Sequence, residues 1–86
     1  MSASAVIHGE LTLTQMPQWL TQADRLAGSA QIDLAAITRA DSAGLAYLLE
    51  LKRRAQARGA PLSLIGAPPQ LRQIASFFEL DTILGL

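Results

Sequence analysis

The sequence predicts a small α/β domain, with a mostly parallel sheet of about three to four strands and about three helices. Three observations predict it. Stretches with two-residue apolar alternation take turns with stretches of helical spacing, in the order βαβαβα. The connections are short, and short connections between alternating elements require parallel strands joined by right-handed crossovers. Half of the 86 residues are hydrophobic and 16% are charged, so a core can form and disorder is disfavoured. The expected organisation is one domain over residues 1–86.

Each element has a local reason. Val6 to Leu13 alternates, with Ile7, Leu11 and Leu13 on one face and His8, Glu10 and Thr12 on the other, as in a strand with one buried face. Thr14 is the expected cap of the next helix, and Pro17 fits its first turn. Met16, Trp19, Leu20, Ala23, Leu26 and Ala27 form that helix's apolar stripe, and Gly28 stops it. Gln31 to Ile37 is the second strand, with Ile32 and Leu34 opposed to Asp33. A long helix follows, from about Ala43 to Arg58, with Leu45, Leu48, Leu49 and Ala55 inward. Glu50 and Arg54 stand in the favourable i,i+4 order. Lys52, Arg53, Arg54 and Arg58 crowd the C-terminal half, where cations suit the helix dipole, and Gly59 ends the helix. Leu62 to Ile65 is the third strand, closed by Gly66. Pro68-Pro69 opens the last helix, with Leu71, Ile74, Ala75 and Phe78 on one face and Phe77 off it. The tail, Asp81 to Leu86, packs either as a short strand or as an apolar end.

Composition excludes several classes. Seven basic and seven acidic side chains balance, which gives no global pull toward nucleic acid or anionic lipid. Without cysteine there is no disulfide, thiol nucleophile or thiolate metal site, and the single His8 cannot form a histidine cluster. The start, Met1 to Ala5, lacks the basic segment and apolar core of a signal peptide. No uncharged apolar run approaches the ~18 residues of a membrane span. The expected setting is cytoplasmic. Ordering costs of about 1.5 kcal/mol per residue nearly cancel the burial gain of so small a chain, which favours a permanent partner.

The chemistry concentrates in Arg39-Ala40-Asp41-Ser42-Ala43-Gly44-Leu45, between an apolar strand and the long helix. Asp41 or Ser42 is the natural N-cap there, worth about 1 kcal/mol. Ser42 has no evident base, Gly44 is not part of a glycine-rich phosphate loop, and Asp33 and Asp41 alone do not make a metal site. Catalysis, a cofactor and a metal are therefore not expected. Lys52-Arg53-Arg54 is read as a solvated helix face, not an RNA contact. Trp19 lies on an apolar stripe, and Tyr47 falls off the inward face of the long helix, near Ser42.

Gly9-Glu10-Leu11 after a strand, Ile32-Asp33-Leu34 on the next, Asp41-Ser42-Ala43-Gly44-Leu45 opening a helix and Gly59 before an apolar strand together resemble the STAS domain family. The resemblance covers nearly the whole chain. Within the family it is nearest to the small cytoplasmic STAS subunits of bacterial phospholipid ABC transporters. Met16 to Trp19, Thr38 to Leu49, and Leu71 to Leu80 with its Phe77-Phe78 pair carry that likeness. It implies a non-catalytic protein that binds and supports the transporter's ATPase subunit, peripheral to the inner membrane, in a system that keeps the outer membrane's lipids asymmetric. The alternative it implies is an anti-sigma factor antagonist, whose partner is an anti-sigma kinase that phosphorylates the serine at the position of Ser42. The surface implied for the partner comprises Arg39, Asp41, Ser42, Ala43, Gly44, Tyr47 and Trp19. Ser42 would bond across it, and small Ala43 and Gly44 would admit the partner's backbone. Two departures stand out. Thr12 replaces the aspartate usual after Gly-Glu-Leu, and few residues precede Val6 where the family commonly has another strand. The expected consequence is a sheet edge covered by the tail, a partner or a second copy of the chain in a homodimer.

Overall fold

The computed structural model describes residues 4–86. Met1 to Ala3, part of the segment expected not to be a signal peptide, lie outside them. The elements are β1 (Ser4–Val6), β2 (Gly9–Leu11), a 3-10 turn (Leu13–Gln15), α1 (Met16–Leu20), α2 (Ala23–Ala27), β3 (Gln31–Asp33), β4 (Ile37–Ala40), α3 (Ser42–Ala57), β5 (Ser63–Ile65), α4 (Pro69–Phe77) and α5 (Asp81–Leu84).

All strand pairs are parallel, as expected. A three-stranded sheet runs β1-β3-β5, and β2 pairs with β4 in a second sheet. The five strands take in the three expected ones, but the first two are each broken once, β1 begins ahead of Val6 at Ser4, and β4 runs on past Ile37 to Ala40. In the first, Gly9 takes a left-handed φ of +81°, and the pairing register shifts between Gly9 and Glu10. Glycine adopts that conformation without the penalty a β-carbon brings. Backbone bonds from Ile7 N–H to the Asp33 carbonyl and from Gly9 N–H to the Ala36 carbonyl carry the pairing across the break. In the second strand, the Asp33 carboxylate accepts from Ala35 N–H at 2.9 Å and turns the chain between β3 and β4.

Helices cover this sheet with a continuous core. Ile7, Leu11, Ile32, Leu34, Leu45, Leu48, Leu51, Leu71 and Leu84 are fully or almost fully buried. Several expected assignments fail at element boundaries. Leu13 is not a strand residue: the chain turns into the 3-10 segment after Thr12, leaving Leu13 67% exposed. Thr14 caps nothing, because its hydroxyl pairs with that of Thr12 inside the turn. Pro17 does sit in the first turn of α1. The first helix is two short ones, broken at Thr21 and Gln22. The break shifts the phase of the apolar stripe and leaves Leu20 exposed, while Trp19, Ala23, Leu26 and Ala27 are buried. On α3, Leu51 is fully buried, and Leu49 is only partly so. Phe78 is half exposed because α4 ends at Phe77.

Charged contacts tie α2 to α3. Arg54 reaches Asp24 at 3.1 Å and Arg58 reaches it at 3.7 Å. Asp24 is largely exposed, so these pairs orient the helices and add little stability. Of the two packings expected for the tail, the structure shows the apolar end. It adds no strand: α5 packs against α3 and α4 and buries Leu84.

The end of α4 carries a local conflict. Leu80 N–H bonds the Ala75 carbonyl at 2.7 Å and Glu79 N–H bonds that of Ser76 at 3.0 Å, the double closure of a Schellman motif. The motif needs a left-handed residue, and here it is Glu79, at φ +58°. Glu79→Gly is expected to raise unfolding stability by about 1 kcal/mol. Urea denaturation of the two proteins measures it, and an unchanged midpoint would contradict the strain argument.

Candidate functional site

The site begins where β4 ends. Asp41 is extended and precedes the first turn of α3. One carboxylate oxygen accepts from Gly44 N–H at 3.1 Å, and the other accepts from Leu13 N–H at 3.0 Å. A single side chain therefore caps α3 and fastens the 3-10 turn to it. The bond from Leu13 N–H, with smaller help from Gly44 and Ala43, holds the Asp41 carboxyl below its ordinary value against the opposing effect of burial.

Ser42 is the first residue of α3 and is exposed. Its hydroxyl has no hydrogen-bond partner among the described residues, so it is free for an external one. Arg39, on β4, is also exposed, and Ala43 is half-buried. Arg39 and Ser42 are thus open to solvent beside the fixed Asp41.

Gly44, Trp19 and Tyr47, expected on the partner surface, are instead closed off from solvent. Gly44 is buried, and a β-carbon there would overlap the Leu11 carbonyl oxygen. Its missing side chain lets α3 lie on the end of β2, so the space is filled from within and not left for a partner. Trp19 is a core residue whose indole N–H donates to the Glu10 carbonyl at 2.9 Å. Tyr47 is only 4% exposed, its hydroxyl donates to the Trp19 carbonyl, and burial pushes its pKa up. The two rings sit 6.4 Å apart and tilted, an ordinary core pairing. A buried aromatic whose polar tip finds a backbone carbonyl is compatible with the polar flank of a helix, which is why spacing alone placed Tyr47 outside.

Further residues flank this helix end. Ala40, Asp41, Ser42, Gln73, Ile74, Phe77 and Phe78 line a shallow, mostly apolar groove between the start of α3 and the end of α4. Phe77 is 81% exposed and meets Phe78 edge to face, with centroids 5.1 Å apart. Leu13, exposed and bonded to Asp41, brings a further apolar side chain to the same helix end. The sequence signal was the Phe77-Phe78 pair itself. Adjacent residues on a helix point about 100° apart, and the apolar face of Leu71, Ile74 and Ala75 leaves Phe77 off it.

The structure does not bring His8 to Ser42 in a shared groove. His8 lines a separate polar one with Glu10, Gln22 and Arg25. Among the described residues no group of three or more His, Cys, Asp or Glu could hold a metal ion. No helix among them is long and apolar enough to cross a membrane.

The site is a capped helix end beside exposed aromatic rings, set on a parallel α/β core. The family model described as "Mlab, STAS domain" matches residues 4–85, and the chain belongs to that family. STAS domains mediate protein–protein interaction and are generally non-catalytic. Among solved structures, the anti-sigma factor antagonist SpoIIAA in its unphosphorylated form is similar over 100% of this chain and 92% of its own. The TM-score is 0.69 and the identity 17%, a likeness of fold. A comparison with curated proteins finds no match.

Proposed function

We propose that this chain, acting as one STAS domain, is the non-catalytic subunit that binds and supports the ATPase of a Mla-type bacterial phospholipid ABC transporter. In that role it would lie at the cytoplasmic face of the inner membrane and help maintain outer-membrane lipid asymmetry. The observation that carries the reading is the match of residues 4–85 to the Mlab-type family model. The geometry supports a docking role. Ser42 offers an unpartnered hydroxyl, Asp41 fixes the backbone beneath it, and the Phe77-Phe78 pair offers the apolar contact that anchors interfaces. Arg39 would stand at the rim.

Copurification with the cognate ATPase tests the reading. The wild-type domain is expected to retain it, and Ser42→Ala to weaken retention modestly. Ser42→Glu and Phe77→Asp are expected to abolish retention while leaving the melting curve unchanged, since both side chains are exposed. Undiminished copurification with both variants would reject this surface.

The free Ser42 hydroxyl also favours a second reading, an anti-sigma antagonist switched by phosphorylation. A phosphate there would add about −1.5 to −2 charges at a helix N-terminus. The dipole tolerates that charge and Asp41 repels it, so an interface could break while the fold persists. Thr12, in place of the family's aspartate, counts against this reading. Intact-mass measurement of protein from its native cells separates the two.

A further inference from the structure

A second groove lies along the other half of α3, and nothing in the Ser42 surface uses it. Its apolar lining is Ala46 and Leu49 of α3, Ala60, Pro61 and the largely buried Leu62 before β5, and Ile83 of α5. Ile83 is 63% exposed although it belongs to the element that seals the core with Leu84. From Ala46 to Gln56 the lining follows α3 for about 15 Å, roughly three helical turns.

The charges beside this floor are unbalanced. Glu50 is its one lining acid. Arg53 holds that carboxylate with two bonds, at 2.8 and 2.7 Å, and Arg54 adds a third at 2.8 Å. The hydrogen bonds from Arg53 and then Arg54 pull the Glu50 pKa to about 2, so it stays ionised and occupied. Glu50 thus meets two guanidinium groups, of which Arg54 also meets Asp24. Lys52 lines the same groove and has no ion-pair partner among the described residues. Glu50, Lys52 and Arg53 together leave the lining with a surplus of one positive charge.

We propose that this groove is a second docking surface, for an acidic amphipathic helix of a partner protein. Its apolar stripe would lie over Leu49, Leu62 and Ile83, and its flanking carboxylates would face Lys52 and Arg53. Such a stripe recurs at i, i+3, i+4 and i+7, and three turns of it match the length of the groove. The groove lies open along α3, which suits a rod better than an enclosed acyl chain. The inference does not depend on the identity of the partner at Ser42, and it makes the domain a bridge between two segments.

A photo-crosslinking residue at Ile83, in the full chain expressed in its native cells, tests this. Mass spectrometry identifies what is captured. The expected product is a protein segment with net negative charge and apolar residues at helical spacing. Lys52→Glu is expected to lower the yield about tenfold through like-charge repulsion, and Lys52→Arg to restore it. Melting curves of the variants confirm folding. Capture of a lipid, of a second copy of this chain, or of a neutral or basic segment would overturn the proposal. So would no capture at all, or a yield indifferent to the charge at position 52.

Discussion

Replacing Gly44 with alanine should destabilise the domain by about 3 kcal/mol, the upper range for overpacking a dense interior. The new β-carbon would overlap the Leu11 carbonyl oxygen and lie 3.0 Å from Leu11 Cγ. The obstacle is backbone, so no rotamer change removes it. Leu11 is wholly buried at the end of β2, and its carbonyl also accepts from Asp41 N–H at 3.4 Å. Relief would require lifting the first turn of α3 off the sheet, which would break both bonds of the Asp41 carboxylate. Small domains hold only about 5–15 kcal/mol in total, so the loss is a large fraction of the whole. Urea denaturation measures it, with Ser42→Ala as the neighbouring control that should unfold near the wild-type midpoint. A Gly44→Ala protein as stable as wild type would mean that α3 does not approach β2 so closely. The result also bears on interface mapping. Lost partner binding in a Gly44 variant reports a disturbed fold, so it does not bear on the expectation that Gly44 admits the partner's backbone.

Much of this architecture is legible because alternation and glycine punctuation act locally. The stop at Gly59 and the start at Pro69 follow from residues within one turn of the feature, and the parallel order from the alternation of elements with short connections. The breaks do not. Ile7 and Leu11 keep a single buried face through the kink at Gly9, so the pattern looks continuous while the hydrogen-bonding register slips. The first helix divides without a proline or glycine at the division, and only the exposure of Leu20 betrays the phase shift. In the site, Ser42 and Asp41 were legible because a cap is a local device. Trp19 and Tyr47 were not, because the carbonyls that satisfy them, those of Glu10 and Trp19, arrive through tertiary packing. Gly44 illustrates the same limit. A sequence shows that a residue is small, not which neighbour needs the space.

Asp41→Ala should cost about 2 kcal/mol, more than an ordinary cap, because two backbone donors on different elements lose a charged acceptor together. Gly44 N–H belongs to α3 and Leu13 N–H to the preceding turn, so the loss loosens both sides of the docking surface at once. Asp41→Asn keeps a neutral side-chain oxygen and can serve one of the two donors, so its loss should be about half as large. The pH dependence separates charge from geometry. The folded-state pKa of Asp41 lies below its ordinary 3.8, so the unfolded chain takes up the proton first as pH falls. The stabilising contribution of the charge is fully present above 3.8 and is lost as pH drops through the lowered folded value. The gap in unfolding free energy between wild type and Asp41→Asn should therefore be constant from neutral pH down to the ordinary carboxylate range and close below it. A gap that persists unchanged into acid would show that Asp41 acts by shape alone. Partner binding supplies the complementary readout. If Asp41 only positions the helix end, Asp41→Asn at neutral pH should bind nearly as well as wild type, while Ser42→Glu, with its cap intact, should not bind.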